Sequence, residues 1–326
     1  SVYYCDQPEQ GALAAQAFYD AMVAKGLPMD GVVGVHMSVV VPILEAKIQN
    51  FVDTLQGLAP DLTILETQYN ENDVNNGISL MEAQLAAHGD ELIGFFGGNN
   101  VTGDAIVRVI EESGRAEALV GVAVDSDPAE IEGMKNGYLD VLIVQTPYDQ
   151  AYNAVMSAVA HIVTGEEFDD EVNMPASVIT PENMDDPDMA ALLDPTILAR
   201  GGAEEPAADV PEELYLVYLT PSTESGYWGE YVRIGIENAV MDAEEEYGVT
   251  INYEYAGPAL ESSQDEYLSI LEGVIAKGPD ALIMGQLAPD AVAPFITDAT
   301  AMGTYVNLVS VGVDLPGDQY GSVYYC

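Results

Sequence analysis

Basic residues are nearly absent from this chain: 8 Lys and Arg stand against 55 Asp and Glu in 326 residues, a formal charge of −47. So negative a protein repels phosphate backbones and anionic bilayers, which argues against nucleic acid or a membrane surface as partner. The imbalance has two readings, a surface solvated for high salt or an acidic exported protein. Cysteine is limited to Cys5 and Cys326, which argues against a disulfide framework or a zinc site and leaves one bridge between the ends open. No run of about 18 apolar residues occurs, so no bilayer-spanning helix is expected. No charged start leads into an apolar stretch, so no signal peptide is expected within this chain. His36, His88 and His161 are too scattered for a metal site or a catalytic triad. Nucleophile elbow, phosphate loop and dinucleotide fingerprint are all missing, so neither an enzyme nor a cofactor is expected.

What the chain does have is length and alternation. Its 326 residues exceed a comfortable single core and favour two domains of about 150 residues each. Short apolar runs, "GVVGVHM", "DLTILET", "ELIGFFGG", "ALVGVAVD" and "DVLIVQTP", alternate with helical patterns such as "VPILEAKIQNFVDTL". The second half repeats the grammar with "ELYLVYLTPS", "GVTINYEYA", "PDALIMGQ" and "YVNLVSVGVD". Alternating strand and helix signals predict two α/β lobes, each with a doubly wound parallel sheet covered on both faces. From about Thr180 to Glu213, Pro, Gly, Ala and acidic residues cluster in a composition that reads as a linker rather than a packed element. The ends pose a separate puzzle, because "SVYYC" is both the first and the last five residues. A true repeat would recur inside the chain.

From Leu214, "LYLVYLTPSTESGYWGEYVRIGIENAVMDAEEEYGVTINYEYA" resembles the first strand, helix and strand of type I periplasmic sugar-binding proteins, the ribose- and galactose-binding family of ABC importers. "GPDALIMGQLAPDAVAPFITDATAMGTYVNLVSVGVD" is similar to the next units of that family, ending in Asp314. The family order then resumes at the other end of the chain. Joining "GSVYYC" to "DQPEQGALAAQAFYDAM" resembles the first crossover between lobes. "GVVGVHMSVVVPILEAKIQNFVDTL", "YNENDVNNGISLMEAQL", "GFFGGNNVTGDAIVRVIEESG" and "LVGVAVDSDPAEIEGMKNGYLDVLIVQTPYDQAYNAV" follow in family order. The resemblance covers nearly the whole chain, but rotated. It implies a circular permutant of engineered origin, cut in the strand before that crossover with the cut strand kept twice. Such cuts are tolerated because the termini of compact proteins lie at the surface, often close together.

On that basis lobe one comprises residues 6–145 plus 172–193, a linker spans 194–212, and lobe two comprises 146–170 plus 213–326. Of the two copies, Ser322–Cys326 is expected to hold the strand slot, being tied to the preceding strand by the short "PGDQYG" turn. Copies lying side by side in register would bring Cys5 and Cys326 within disulfide reach.

In that family a small polar ligand sits between the lobes at the carboxyl ends of the strands. The resemblance puts Asp125, Asp314, Asn99, Gln145, Lys47 and Asn72 there, with Tyr227 and Trp228 offering flat faces to the C–H side of a sugar ring. Carboxylates accept from adjacent hydroxyls, amides donate and accept, and an ammonium donates. Each residue has a plainer competing role. Asp125 and Asp314 also suit helix N-caps, Asn99 a turn, Lys47 a solvated helix face, Gln145 a hinge, and the aromatic pair a core. Leu315 stands where the family often has Arg, and Ser225 or Glu224 where Asn is usual. Lys47 replaces a usual Arg and lacks its bidentate fork. The ligand therefore need not be ribose or galactose.

The function implied is that of a monomeric, non-enzymatic solute-binding protein, periplasmic or extracellular with a lipoprotein-like parent, that presents a sugar to an ABC permease. The alternative is a ligand-binding scaffold or sensor component for a nucleoside, polyol or signalling molecule. A repressor's sensing core shares the fold but needs a basic DNA-binding segment, which 8 basic residues do not supply.

Overall fold

The computed structural model describes residues 1–40, 42–194, 211–310 and 313. Most of the expected linker, Asp314 and the second SVYYC copy, with Cys326, lie outside the described residues. The chain divides into two compact units. Unit 1 holds Ser1–Cys5, Thr146–Met174 and the described residues from Asp194 on; unit 2 holds Asp6–Gln145 and Pro175–Leu193.

In unit 1, strands β1 (Val2–Tyr4), β8 (Glu171–Asn173), β10 (Glu213–Leu219), β11 (Thr250–Ala256), β12 (Ala281–Gly285) and β13 (Tyr305–Ser310) form one sheet in the order β11-β10-β12-β13-β1-β8. Every pairing in it is parallel. Side chains alternate across a strand, and here both faces are buried. Leu214, Leu216 and Tyr218 of β10 pack with residues of α6 (Pro147–Thr164) and α8 (Arg233–Tyr247). Val217 and Leu219 pack with residues of α9 (Gln264–Ala276) and α10 (Pro289–Ala301).

Unit 2 repeats the plan. Strands β2 (Val32–Met37), β3 (Thr63–Ile64), β5 (Leu92–Gly97), β6 (Val120–Val124), β7 (Val141–Val144) and β9 (Ser177–Ile179) run β3-β2-β5-β6-β7-β9, with β4 (Gln68–Tyr69) also on β2. All pairs are parallel except β7 with β9. Helices α1 (Gln7–Lys25) and α2 (Pro42–Leu58) supply Phe18 and Phe51 to one face, where Phe51 stacks on Phe96 at 4.0 Å. Residues of α3 (Val74–His88), α4 (Asn100–Ser113) and α5 (Pro128–Lys135) cover the other. Helix starts are locally encoded: Asp6 accepts from the Glu9 N–H at 2.7 Å to cap α1, and Asn99 with Thr102 forms a capping box for α4.

Every apolar run quoted above forms a strand, and two expectations differ. The N-terminal copy lies in the sheet, with Val2–Tyr4 between β13 and β8, while the copy expected to hold that slot, Ser322–Cys326, lies outside the described residues. The return to unit 2 begins at Pro175 rather than near Val172, because β8 pairs with β1. Within the stretch of linker-like composition from Thr180, α7 (Pro187–Leu193) falls in the bounds given to lobe one, 172–193, and its Leu193, with Met184, is buried in the unit 2 core. A short apolar pattern there is outweighed in composition by its Pro and Asp neighbours.

Candidate functional site

In doubly wound sheets, polar side chains at the carboxyl ends of strands can converge where strand order reverses. In unit 2 the order reverses at β2 and β5, and the strand ends there carry a charged set. Asp125 follows β6 at φ 85°, a conformation rarely adopted by an L residue, and its N–H donates to Ile143 O at 3.0 Å. Gln145 follows β7, is 8% exposed, and donates from Nε2 to Asp125 Oδ1 at 2.8 Å. Lys47 of α2 is 2% exposed and donates to Gly98 O at 3.1 Å. Burial pushes the Asp125 carboxyl above the ordinary carboxylate range, while the Lys47 ammonium, the Gln145 amide and the Asn100 backbone N–H oppose that rise. Sequence reasoning named three of these groups, and the structure brings all three together.

Asn99 and Asn72 fare differently. The Asn99 Oδ1 accepts from the N–H and hydroxyl of Thr102 at 3.2 and 2.8 Å, so this residue caps α4, a close relative of the turn role weighed against it. Asn72 is exposed at φ 59°, with its N–H on Asn70 Oδ1 at 3.0 Å. Its neighbour Asn70 is the residue that sequence reasoning missed. It is fully buried at the end of β4, and its amide nitrogen has no hydrogen-bond partner among the described residues. The signal available was position: Asn70 directly follows the strand.

Unit 1 carries a neutral set at its strand ends. Tyr227, on a π-helical turn spanning Gly226–Val232, is half-buried and shares a 2.5 Å hydrogen bond with Ser310 Oγ. Ser310 ends β13 at φ 69° and donates to Gln150 Oε1 at 3.0 Å. Gln150 is fully buried, and its Nε2 has no partner among the described residues. Thr220 and Ser222 follow β10, and Ser222 donates to Ala259 O at 2.6 Å. Trp228 is 5% exposed and lies in the unit 1 core against Gly285, where an added Cβ would come within 2.3 Å of its ring. Covering β12 removes the indole from water, which is the core role weighed against a ligand face.

Among the described residues no group of His, Cys, Asp and Glu is placed to hold a metal ion, and no helix is long and apolar enough to cross a membrane. Buried His36 donates from Nε2 to Gln84 Oε1 at 2.9 Å, and burial lowers its ring pKa to about 4, so it stays neutral at pH 7.

Comparison with known proteins places this architecture. No curated protein matches the chain. A carbohydrate transporter solute-binding protein from Agrobacterium radiobacter, in complex with D-arabinose, is similar at 25% identity and a TM-score of 0.55, over 60% of this chain and 65% of that one. An ABC transporter solute-binding protein from Agrobacterium vitis, bound with α-D-tagatopyranose, is similar at 28% identity and 0.52, over 59% and 62%. One from Burkholderia graminis, in complex with D-arabinose, is similar at 26% and 0.51, over 56% and 63%. The chain thus spans less than two thirds of the length of these proteins. Residues 2–167, half of the 326, match a family profile described as a periplasmic binding protein domain. That profile runs from β1 through unit 2 and back into α6, crossing both units, and the chain belongs to the periplasmic binding protein domain family.

Proposed function

We propose that this protein is the solute-binding component of an ABC-type importer, holding a small sugar without reacting with it, in the periplasm or on the cell exterior. The observation that carries this reading is Asp125, a carboxylate at a strained strand end, held by Gln145 and facing the charge of buried Lys47. Adjacent sugar hydroxyls need an acceptor and donors side by side, and charge-assisted bonds are the stronger ones. The sugars in the similar solved structures support the same class of ligand. Circular permutation is part of the proposal. It is supported by the first strand of the chain lying beside β13, the last described strand, and by the pentapeptide present at both ends.

Isothermal titration of the purified protein with aldoses and ketoses, including D-arabinose and D-tagatose, alongside nucleosides and polyols, tests the ligand class. Saturable binding of a sugar is expected. Binding of a nucleoside or polyol with no sugar bound would overturn the sugar reading in favour of a scaffold or sensor for another solute.

A further inference from the structure

Glu130, in the first turn of α5, is fully buried. Its Oε2 accepts the Asp127 N–H at 2.8 Å, closing the capping box of that helix. Its Oε1 is buried with no hydrogen-bond partner among the described residues, and it occupies the space where a Cβ on Gly103 of α4 would stand, 1.8 Å away. Among the described residues the charged groups acting on it are acids: Asp127 at the head of its own helix, Asp125 at the end of β6 and Asp104 on α4. The nearby cations act on its neighbours, Lys47 on Asp125 and Arg108 on Asp104. A buried carboxylate among acids and without a cation of its own is expensive to ionise. Burial first, and then Asp127 and Asp125, push the Glu130 carboxyl well above the ordinary range. Burial also raises Asp104 to about 6 against the pull of Arg108.

The same helix start is tied to the candidate ligand carboxylate. Asn100 Nδ2 donates to Asp127 Oδ2 at 3.0 Å, while the Asn100 backbone N–H donates to Asp125. We propose that Glu130 is a positioning residue for Asp125. While its carboxyl keeps its proton it brackets the Asp127 turn without charge, and when the proton leaves, repulsion from the Asp127 and Asp125 carboxylates outweighs the stronger bond to the Asp127 N–H and loosens the turn. Only its effect on affinity rests on the sugar-binding reading above.

The test compares the parent with Glu130→Gln, which keeps the shape and cannot ionise. A carboxyl raised on folding contributes stability that is complete below its ordinary value of 4.5 and is lost as pH climbs to the folded value. The melting temperature of the parent should therefore fall relative to the variant as pH rises from the ordinary value of 4.5 through and beyond neutrality at constant ionic strength. Superimposable profiles would overturn the inference. Affinity for D-arabinose or D-tagatose should fall about tenfold more in the parent than in the variant over that span. Equal pH dependence overturns the positioning role and leaves the sugar reading standing. If neither sugar binds at any pH, the sugar reading falls. Crystal structures of the parent at low and high pH then decide, and a Gln145–Asp125 contact unchanged at high pH overturns the bracket, whether or not the variant folds.

Discussion

Strand β6 of unit 2 and strand β13 of unit 1 hold the same place in their sheets, fourth in each order, and each leads into a residue at positive φ: Asp125 at 85° and Ser310 at 69°. Such a conformation costs roughly 1–3 kcal/mol and persists only where the surroundings enforce it. The two units therefore share a backbone device and differ in the chemistry mounted on it. Unit 2 mounts a carboxylate with a buried ammonium and an amide. Unit 1 mounts a hydroxyl between a phenol and an amide, none of them charged at neutral pH. Because Ser310 donates to Gln150, it accepts from Tyr227, so this chain of bonds has a direction. The difference teaches that equivalent positions supply strength and pH sensitivity on one side and direction without charge on the other.

Replacing Asp125 by Ala should break the comparison most sharply. Affinity for the bound sugar should fall by about 2–4 kcal/mol in calorimetric titration, because donors that faced the carboxylate are left unpaired. The unliganded melting temperature should change little, since the strained, desolvated carboxylate is itself a cost. A titration matching the parent would assign the ligand to the neutral set of unit 1.

Lys47→Met comes next. Without its ammonium, the Asp125 carboxyl rises further above its ordinary range, so the stability lost should grow as pH increases above the normal carboxylate value. A loss of about 1–3 kcal/mol at neutral pH, smaller in acid, is expected from urea unfolding at two pH values. A loss independent of pH would mean that the lysine matters only for packing.

Gly285→Ala sharpens the contrast from the side of unit 1. The new Cβ meets the Trp228 ring at 2.3 Å and Pro221 at 3.0 Å, and such overpacking costs about 1–3 kcal/mol. Tryptophan fluorescence should report the rearrangement directly, since the chain has one Trp. An unshifted spectrum with parental stability would show that the ring has room to move.

The smallest effect belongs to Ser310→Ala. Removing one neutral hydroxyl from the Tyr227–Ser310–Gln150 chain should lower stability by about 0.5–1.5 kcal/mol in urea unfolding, with no change between acid and neutral pH. A loss that grows with pH, as expected for Lys47→Met, would erase the distinction between the charged and the neutral set.

The charged set was legible through the family resemblance, since local patterns alone left Asp125 a helix cap, Lys47 a solvated residue and Gln145 a hinge. Asp125 and Gln145 follow apolar strands, and Lys47 precedes Phe51 by one helical turn, on the same buried face of α2. The neutral set was not. Gln150 and Ser310 lie 160 residues apart, and nothing local marks either as the other's partner. Trp228 and Tyr227 are adjacent in the chain, yet one ring went to the core and the other to a strand-end hydroxyl. Glu130 reads as an ordinary helical acid until Gly103, from another helix, leaves a space that its carboxyl enters.

Hydrophobic alternation and capping residues by themselves determined that this chain forms strands and helices in an α/β order, because those periods act over a few residues and need no distant partner. Tertiary structure alone decided that the first pentapeptide pairs with β13, which carboxyls lose their water, and which of two neighbouring rings is buried. Each of those outcomes depends on what arrives from elsewhere in the chain to exclude solvent, and desolvation is a property of the assembled neighbourhood rather than of any segment.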